Sequence, residues 1–185
     1  MACADAFNLL QEIKTAALHN ATDLPHEQKA PGNWQGLGFL VGGVRLVSKL
    51  GDVSELMPMP RMTSLPGVKP WLLGIANVRG RLVPVIDLHV FLGLPATLPT
   101  HQWRVLLVEA GDRITGLVVE QSLGIQHFAP QTREAAETTD LGMLAPFVDG
   151  IFRHAGRVFH EVHLGRLVGD ERFWDVAERS VPVGT

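Results

Sequence analysis

Asp87 and His89 stand two residues apart, a spacing that puts a carboxylate and an imidazole on one side of an extended chain, where they could share a proton as a general acid–base pair does. Turnover would also need a nucleophile, and no serine, threonine or cysteine stands at matching distance in either copy of the repeat described below. The spacing favours a structural part for Asp87, closing a turn or capping a short helix over Leu88–Leu92. His160, Glu161 and His163 resemble a fragment of a metal site, but such sites want ligands from three separate positions, and no cysteine is at hand to complete one. Neither a metal nor a cofactor is therefore expected. The remaining candidate does binding chemistry. Arg79 precedes Gly80 between two apolar runs, so its guanidinium projects from the tip of a hairpin, and arginine on a rigid turn is a frequent anchor of protein interfaces. Val53 and Glu55 lie on one side of the extended segment Asp52–Leu56. Met57, Met59 and Met62 form an adaptable apolar set that suits gap filling.

Short apolar runs punctuated by glycine turns position these residues, the pattern of hairpins in an all-β domain. Gly42-Gly43 joins Leu37–Val41 to Val44–Ser48, and two glycines suit the positive φ values of a two-residue hairpin turn. Arg79-Gly80 joins Leu72–Val78 to Arg81–Asp87, Ala110-Gly111-Asp112 joins Trp103–Glu109 to Arg113–Val119, and His154-Ala155-Gly156 joins Gly150–Arg153 to Arg157–Glu161. Lys49–Leu56 and Leu123–Phe128 complete a set of ten strands. Leu82 and Ile86 alternate with Val83 and Val85, which predicts a strand buried on both faces. Four prolines between Met57 and Pro70 exclude an inner strand there and imply an ordered connecting loop. Gly36-x-Gly38 precedes a strand and opens no helix, which excludes a dinucleotide-binding turn.

Ala6, Leu10, Ile13 and Ala17 recur at helical spacing, so an N-terminal helix is expected over Ala4–Leu18, followed by a polar linker from Asn20 to Asn33. The organisation is then 1–33, helix and linker, and 34–185, a globular body that ends in a short helix, capped by Asp170, in which Phe173, Trp174 and Ala177 pack on the body before Pro182 stops it. Sixteen basic against nineteen acidic residues leave a net charge of −3, which argues against nucleic acid as a partner. A single cysteine permits no internal disulfide, and no apolar run approaches the ~20 residues of a membrane span, so a reducing, cytoplasmic setting without membrane insertion is expected.

Sliding the chain by 76 residues places Gly74, Ile75, Gly80, Arg81 and Leu88 on Gly150, Ile151, Gly156, Arg157 and Leu164. Two related small barrels follow. The first copy carries Arg79 and Asp87 where the second has Ala155 and His163, so distinct chemistry sits on the first.

GGVRLVSKLGDVSEL at 42–56, Leu65-Pro66-Gly67, WLLGIANVRGRLVPVIDLHVFLGLP at 71–95 and RVLLVEAGDRITGLVVE at 104–120 together resemble the CheW family of chemotaxis coupling proteins, over about Trp34 to Val168. The most specific element is Gly74, Arg79, Gly80, Pro84, Val85, Asp87 and Leu88 in the pattern G-x-x-x-x-R-G-x-x-x-P-V-x-D-L, and the wording around it is most like the branch that serves type IV pilus, or twitching motility, systems. The resemblance implies two SH3-like five-stranded β-barrels sharing a core. It implies a non-catalytic adaptor between a methyl-accepting chemoreceptor tip and the regulatory domain of a CheA-type histidine kinase, cytoplasmic and recruited to membrane-associated receptor arrays. Val53, Glu55 and Arg79 inherit the partner-contact role, with Gly80 and Val83 as neighbours on that surface. The sequence departs from the family at Val119-Glu120, where Val-Asp is usual, and in its last strand, Arg157 to His163, which is normally aliphatic; the partner surface of the second barrel stays open. The competing readings are a small hydrolase using Asp87 and His89, or a ligand-binding sensor barrel. The first would require a deep pocket with converging polar groups.

Overall fold

The structure, a computed structural model, describes residues 34–136 and 141–177. The expected helix over Ala4–Leu18, the linker after it, Cys3 and Pro182 lie outside the described residues. Twelve strands are described: β1 (Trp34–Val41), β2 (Val44–Lys49), β3 (Glu55–Pro58), β4 (Met62–Thr63), β5 (Leu72–Val78), β6 (Arg81–Asp87), β7 (Arg104–Ala110), β8 (Arg113–Val119), β9 (Gln121–Phe128), β10 (Arg133–Glu134), β11 (Val148–His154) and β12 (Arg157–Val162). Short helices α1 (Leu88–Leu92), α2 (Leu164–Gly169) and α3 (Glu171–Trp174) follow β6 and β12.

The strands form two six-stranded sheets of matching order, β4-β5-β6-β8-β7-β3 and β10-β11-β12-β2-β1-β9, each curled into an SH3-like barrel. The expected five strands per barrel each gain a two-residue edge strand, β4 or β10, too short to leave a periodic signal. Lys49–Leu56 is not one strand: a single 3-10 turn at Leu50–Asp52 intervenes before β3. The predicted loop after Met57 contributes Met57 and Pro58 to β3 and Met62 to β4, both sheet edges, where a missing amide donor disrupts no ladder. Ala177 lies beyond α3, in a bridge to Val68.

The repeat survives in the register. Ile75 faces Pro84 and Ile151 faces His160, both partners displaced by the same 76 residues, and an identical bulge separates Leu72 from Gly74 and Val148 from Gly150. At each bulge the edge strand presses on a glycine. A Cβ on Gly74 would collide with the Thr63 carbonyl oxygen, and one on Gly150 would lie 2.9 Å from the Glu134 carbonyl oxygen. Gly74→Ala should therefore destabilise the protein by about 2 kcal/mol, as overpacking typically does, and Gly150→Ala by less; urea midpoints compare the two.

The barrels are not sequential. β3 to β8 form a central barrel, whereas the terminal barrel takes β1 and β2 from one end of the body and β9 to β12 from the other. In each, a hairpin is lent by the opposite repeat. Three apolar clusters result: Ala76, Val78, Val83, Val85, Val105, Leu107 and Val118 inside the central barrel; Val47, Phe128, Phe152 and Phe159 inside the terminal one; and a larger shared core between them. That shared core draws Phe39 and Leu46 from one barrel, Ile86, Leu106 and Leu117 from the other, and Phe91, Leu164 and Phe173 from the helices.

Candidate partner-binding site

The β5–β6 turn is built from two residues with positive φ, Arg79 at 53° and Gly80 at 83°, the backbone a tight hairpin needs to match strand twist. A side chain in this region costs about 1–2 kcal/mol. Ala155, at the same place in the other repeat, has φ 48°, so the conformation belongs to the hairpin and not to the arginine. The Gly80 amide donates to Asn77 Oδ1 at 2.9 Å and tightens the turn. Arg79 stands outward with its side chain 78% exposed, and its Nη2 donates to Glu55 Oε1 at 2.9 Å. Glu55 opens β3 and is held there because Ser54 donates to the Leu107 carbonyl through both its amide and its hydroxyl.

Glu55, Arg79 and Gly80 therefore come together at one end of the central barrel. Val53 is half-buried and packs against the shared core. Val83 is elsewhere: it is fully buried inside the central barrel and cannot belong to a contact surface. The parity of β6 explains this, because two-sided burial holds only in its second half. Leu82, opposite Asn77, faces outward at 72% exposure. Leu82 is thus the exposed aliphatic residue of β6, and it borders a depression with Met62, Leu65 and Ile75 that is separate from the one bordered by Arg79. Pro84, the next outward residue, sits just ahead of the parallel pairing with β8, which begins at Val85.

The Asp87–His89 pair is structural in its contacts. Asp87 Oδ1 accepts from the amides of His89 and Val90, capping α1, and lies 2.9 Å from His89 Nδ1. The imidazole stacks on Trp103, and its Nε2 is 3.6 Å from Glu120 Oε1. Both residues are buried beneath the barrel junction. Glu120, fully buried at the end of β8, accepts hydrogen bonds from the Thr97 amide and hydroxyl, from the Leu98 amide and from the Gly43 amide, while its own amide donates to Leu40. Burial alone raises its pKa, but these hydrogen bonds outweigh it and hold the carboxyl below the ordinary glutamate value. One carboxylate thereby ties β8 to the β1–β2 turn of the other barrel.

His160, Glu161 and His163 diverge. His163 Nδ1 accepts from the Arg166 amide at the start of α2, Glu161 binds Arg133 Nε at 2.7 Å, and burial pushes the His160 imidazole below its usual pKa. No group of three ligating side chains able to hold a metal occurs among the described residues.

Comparison with known proteins gives a consistent outcome. Residues 35–172 match the CheW-like domain. The chain is similar to the protein PilI of Pseudomonas aeruginosa, 42% identical over 146 residues that cover 79% of this chain and 82% of that one. It is also similar to the chemotaxis protein CheW of Bacillus subtilis, 31% identical over 45% of this chain and 54% of the relative. Among solved structures, the scaffolding protein TtCheW of Thermoanaerobacter tengcongensis superposes with a TM-score of 0.69 at 22% identity, covering 80% of this chain and 95% of that one, which is a likeness of fold.

Proposed function

Because the chain belongs to the CheW-like domain family, we propose that it is a non-catalytic adaptor linking a methyl-accepting chemoreceptor to the regulatory domain of a CheA-type histidine kinase, in a chemosensory pathway acting on type IV pili. The observation that carries this reading is the outward Arg79, fixed on a two-residue turn and steadied by Glu55. A guanidinium has five donors, and the one hydrogen bond to Glu55 leaves donors facing solvent for a partner's carboxylates or carbonyls. Such an anchor loses little on binding, because the turn already fixes its backbone.

The adaptor works at the cytoplasmic side of the membrane, brought there by the receptor; among the described residues no helix is long and apolar enough to cross a bilayer. Each contact buries an area near the lower end of the ~1,200–2,000 Å² typical of specific interfaces, which suits reversible assembly. Affinity purification of the full chain from its own cells tests the proposal: a large histidine kinase and a receptor should copurify in amounts comparable to the bait. Recovery of the bait with neither would overturn it. The pairing of Asp87 with His89 does not favour a hydrolase, since every hydrogen bond described for the Asp87 carboxylate serves α1 or the His89 ring.

A further inference from the structure

Arg104, the first residue of β7, has no carboxylate within ion-pair distance among the described residues, unlike Arg79, Arg81, Arg133, Arg153, Arg166 and Arg172. Its described bonds go to the backbone alone. Nη1 donates to the carbonyls of Trp103, Gln102 and His101 at 2.8, 3.0 and 3.4 Å, which closes the end of a 3-10 turn over Thr100–Gln102. Nε and Nη2 have no described partner. The charge is thus held in place but not neutralised.

Arg104 borders a depression of about 290 Å³ together with His101, Gln102, Gln121 and Ser122. All of these residues are polar, and none is acidic. The two sides come from different barrels: residues 101–104 lead into β7 of the central barrel, while Gln121 and Ser122 open β9 of the terminal one. No hydrogen bond is described for the His101 ring or for the side-chain amides of Gln102 and Gln121. The Ser122 hydroxyl accepts from the Gly124 amide at 3.3 Å, which leaves its own proton to donate. Glu120, the acid adjacent in the chain, is fully buried and turned onto Thr97, Leu98 and Gly43. In the other repeat the strand registers place Gln35 at Arg104. The duplicated fold therefore makes this corner without a cation.

We infer that this depression is an oxyanion site and that it takes a phosphate group, free or as a monoester. A carboxylate offers two oxygens and one charge, whereas a phosphate carries about −1.5 to −2 at pH 7 and three acceptor oxygens. The lining matches the larger demand, because its charge is of one sign and its donors are many: the Nε and Nη2 edge of Arg104, two carboxamides, a hydroxyl and an imidazole. The guanidinium fork suits two of the oxygens, and Gln102 and Gln121, one from each side, leave donors for the third. A phosphate bound there joins the barrels at a second place besides Glu120. The site is independent of the adaptor reading.

Inorganic phosphate titrated into the isotope-labelled full chain and followed by NMR, at a fixed low ionic strength made up with chloride, tests the site. The Gln121 and Ser122 amides and the indole of Trp103, which stands between Gln102 and Arg104, should shift and saturate. Half-saturation is expected at about 1–10 mM, the range open to so small an anion in an exposed place. Acetate should bind about tenfold more weakly. O-phosphoserine reads the source: tighter binding than inorganic phosphate means a monoester occupant and weaker binding a free anion, and both keep the site. Arg104→Ala should weaken phosphate binding about tenfold or more, and Gln121→Ala, which removes no described side-chain bond, about threefold. Arg157→Ala, which removes an exposed arginine likewise without a described acidic partner, should change nothing. Shifts that rise without saturating, acetate binding as tight as phosphate, or equal losses in Arg157→Ala and Arg104→Ala would overturn the inference. Should Arg104→Ala lose its folded baseline in a thermal melt, Gln121→Ala decides, and unweakened binding by that variant overturns the site.

Discussion

Arg79→Glu is expected to remove capture of the receptor fragment and of the kinase's regulatory domain while leaving circular dichroism and the melting temperature close to those of the unsubstituted protein. The substitution replaces an outward cation by an anion 24 positions from Glu55 in sequence but, in space, directly beside it. Two carboxylates then face one another, and the donors that a partner's acids would meet are gone. Central arginine anchors commonly lose on the order of 2–4 kcal/mol of binding when truncated, and charge reversal adds repulsion, so a decrease of a hundredfold or more is the expected outcome. The fold bears little of this change, because the side chain is 78% exposed and surface ion pairs contribute about 1 kcal/mol at most. Pull-down and calorimetry check the binding, and thermal melts check the fold. Undiminished binding by a folded Arg79→Glu protein would take the hairpin tip off the contact surface.

Glu120→Ala is expected to act in the opposite manner, damaging the fold itself. Four donors, from Thr97, Leu98 and Gly43, would lose their acceptor in a fully buried place. Loss of a buried, multiply hydrogen-bonded charge typically costs about 3–5 kcal/mol, a large part of the stability of a domain this size. Glu120→Gln keeps an oxygen for two of the donors and should cost less. The effect carries a pH signature. The Glu120 carboxyl is held below its unfolded value of 4.5, so its contribution is fully present above that pH and is lost as pH falls through the lower folded value. The groups facing it are His89, 3.6 Å away, and through that ring Asp87, while Thr97, Leu98 and Gly43 approach from the loop and from the opposite barrel. Urea midpoints measured at pH 7 and again near pH 3.5 should differ more for the unsubstituted protein than for Glu120→Gln. Equal differences would mean that the carboxylate does not supply the link between the barrels.

Much of this architecture is written in local pattern. Gly42-Gly43, Arg79-Gly80 and Ala155-Gly156 all mark two-residue turns with positive φ, and the strands on either side of Arg79 begin and end where alternation and turn chemistry place them. Asp87 caps α1 as its spacing suggests. The repeat offset, seen in only a handful of identities, reappears as an identical hairpin register because backbone geometry tolerates exchange of most side chains but not of the bulge glycines. What escapes the sequence is non-local. Val83 and Leu82 are both aliphatic neighbours of the turn, and only the packing of the barrel decides which one faces water. The pairing of Arg81 with Glu109 joins residues 28 positions apart on strands that are not neighbours in the sheet, β8 lying between them. Glu120 stands out in sequence only as a departure from the usual Val-Asp, yet its four donors are gathered from a loop and from a turn 77 positions away. β4 and β10 are too brief for any periodicity, and exist because each lies along a bulge that has room for it.

The exchange of hairpins between the repeats has a consequence for how the chain is made. As a ribosome extrudes it, the first hairpin emerges with the partners it will need still more than seventy residues from being synthesised, whereas the central barrel closes as soon as the hairpin ending at Val119 is released. Residues 34–49 must then wait beside a finished neighbour with their ladder unsatisfied until the segment ending at Val162 arrives. A product terminated early would carry the Arg79 hairpin in a completed barrel and a sticky, half-paired flap beside it, which makes that flap the place where a holding chaperone would be most needed.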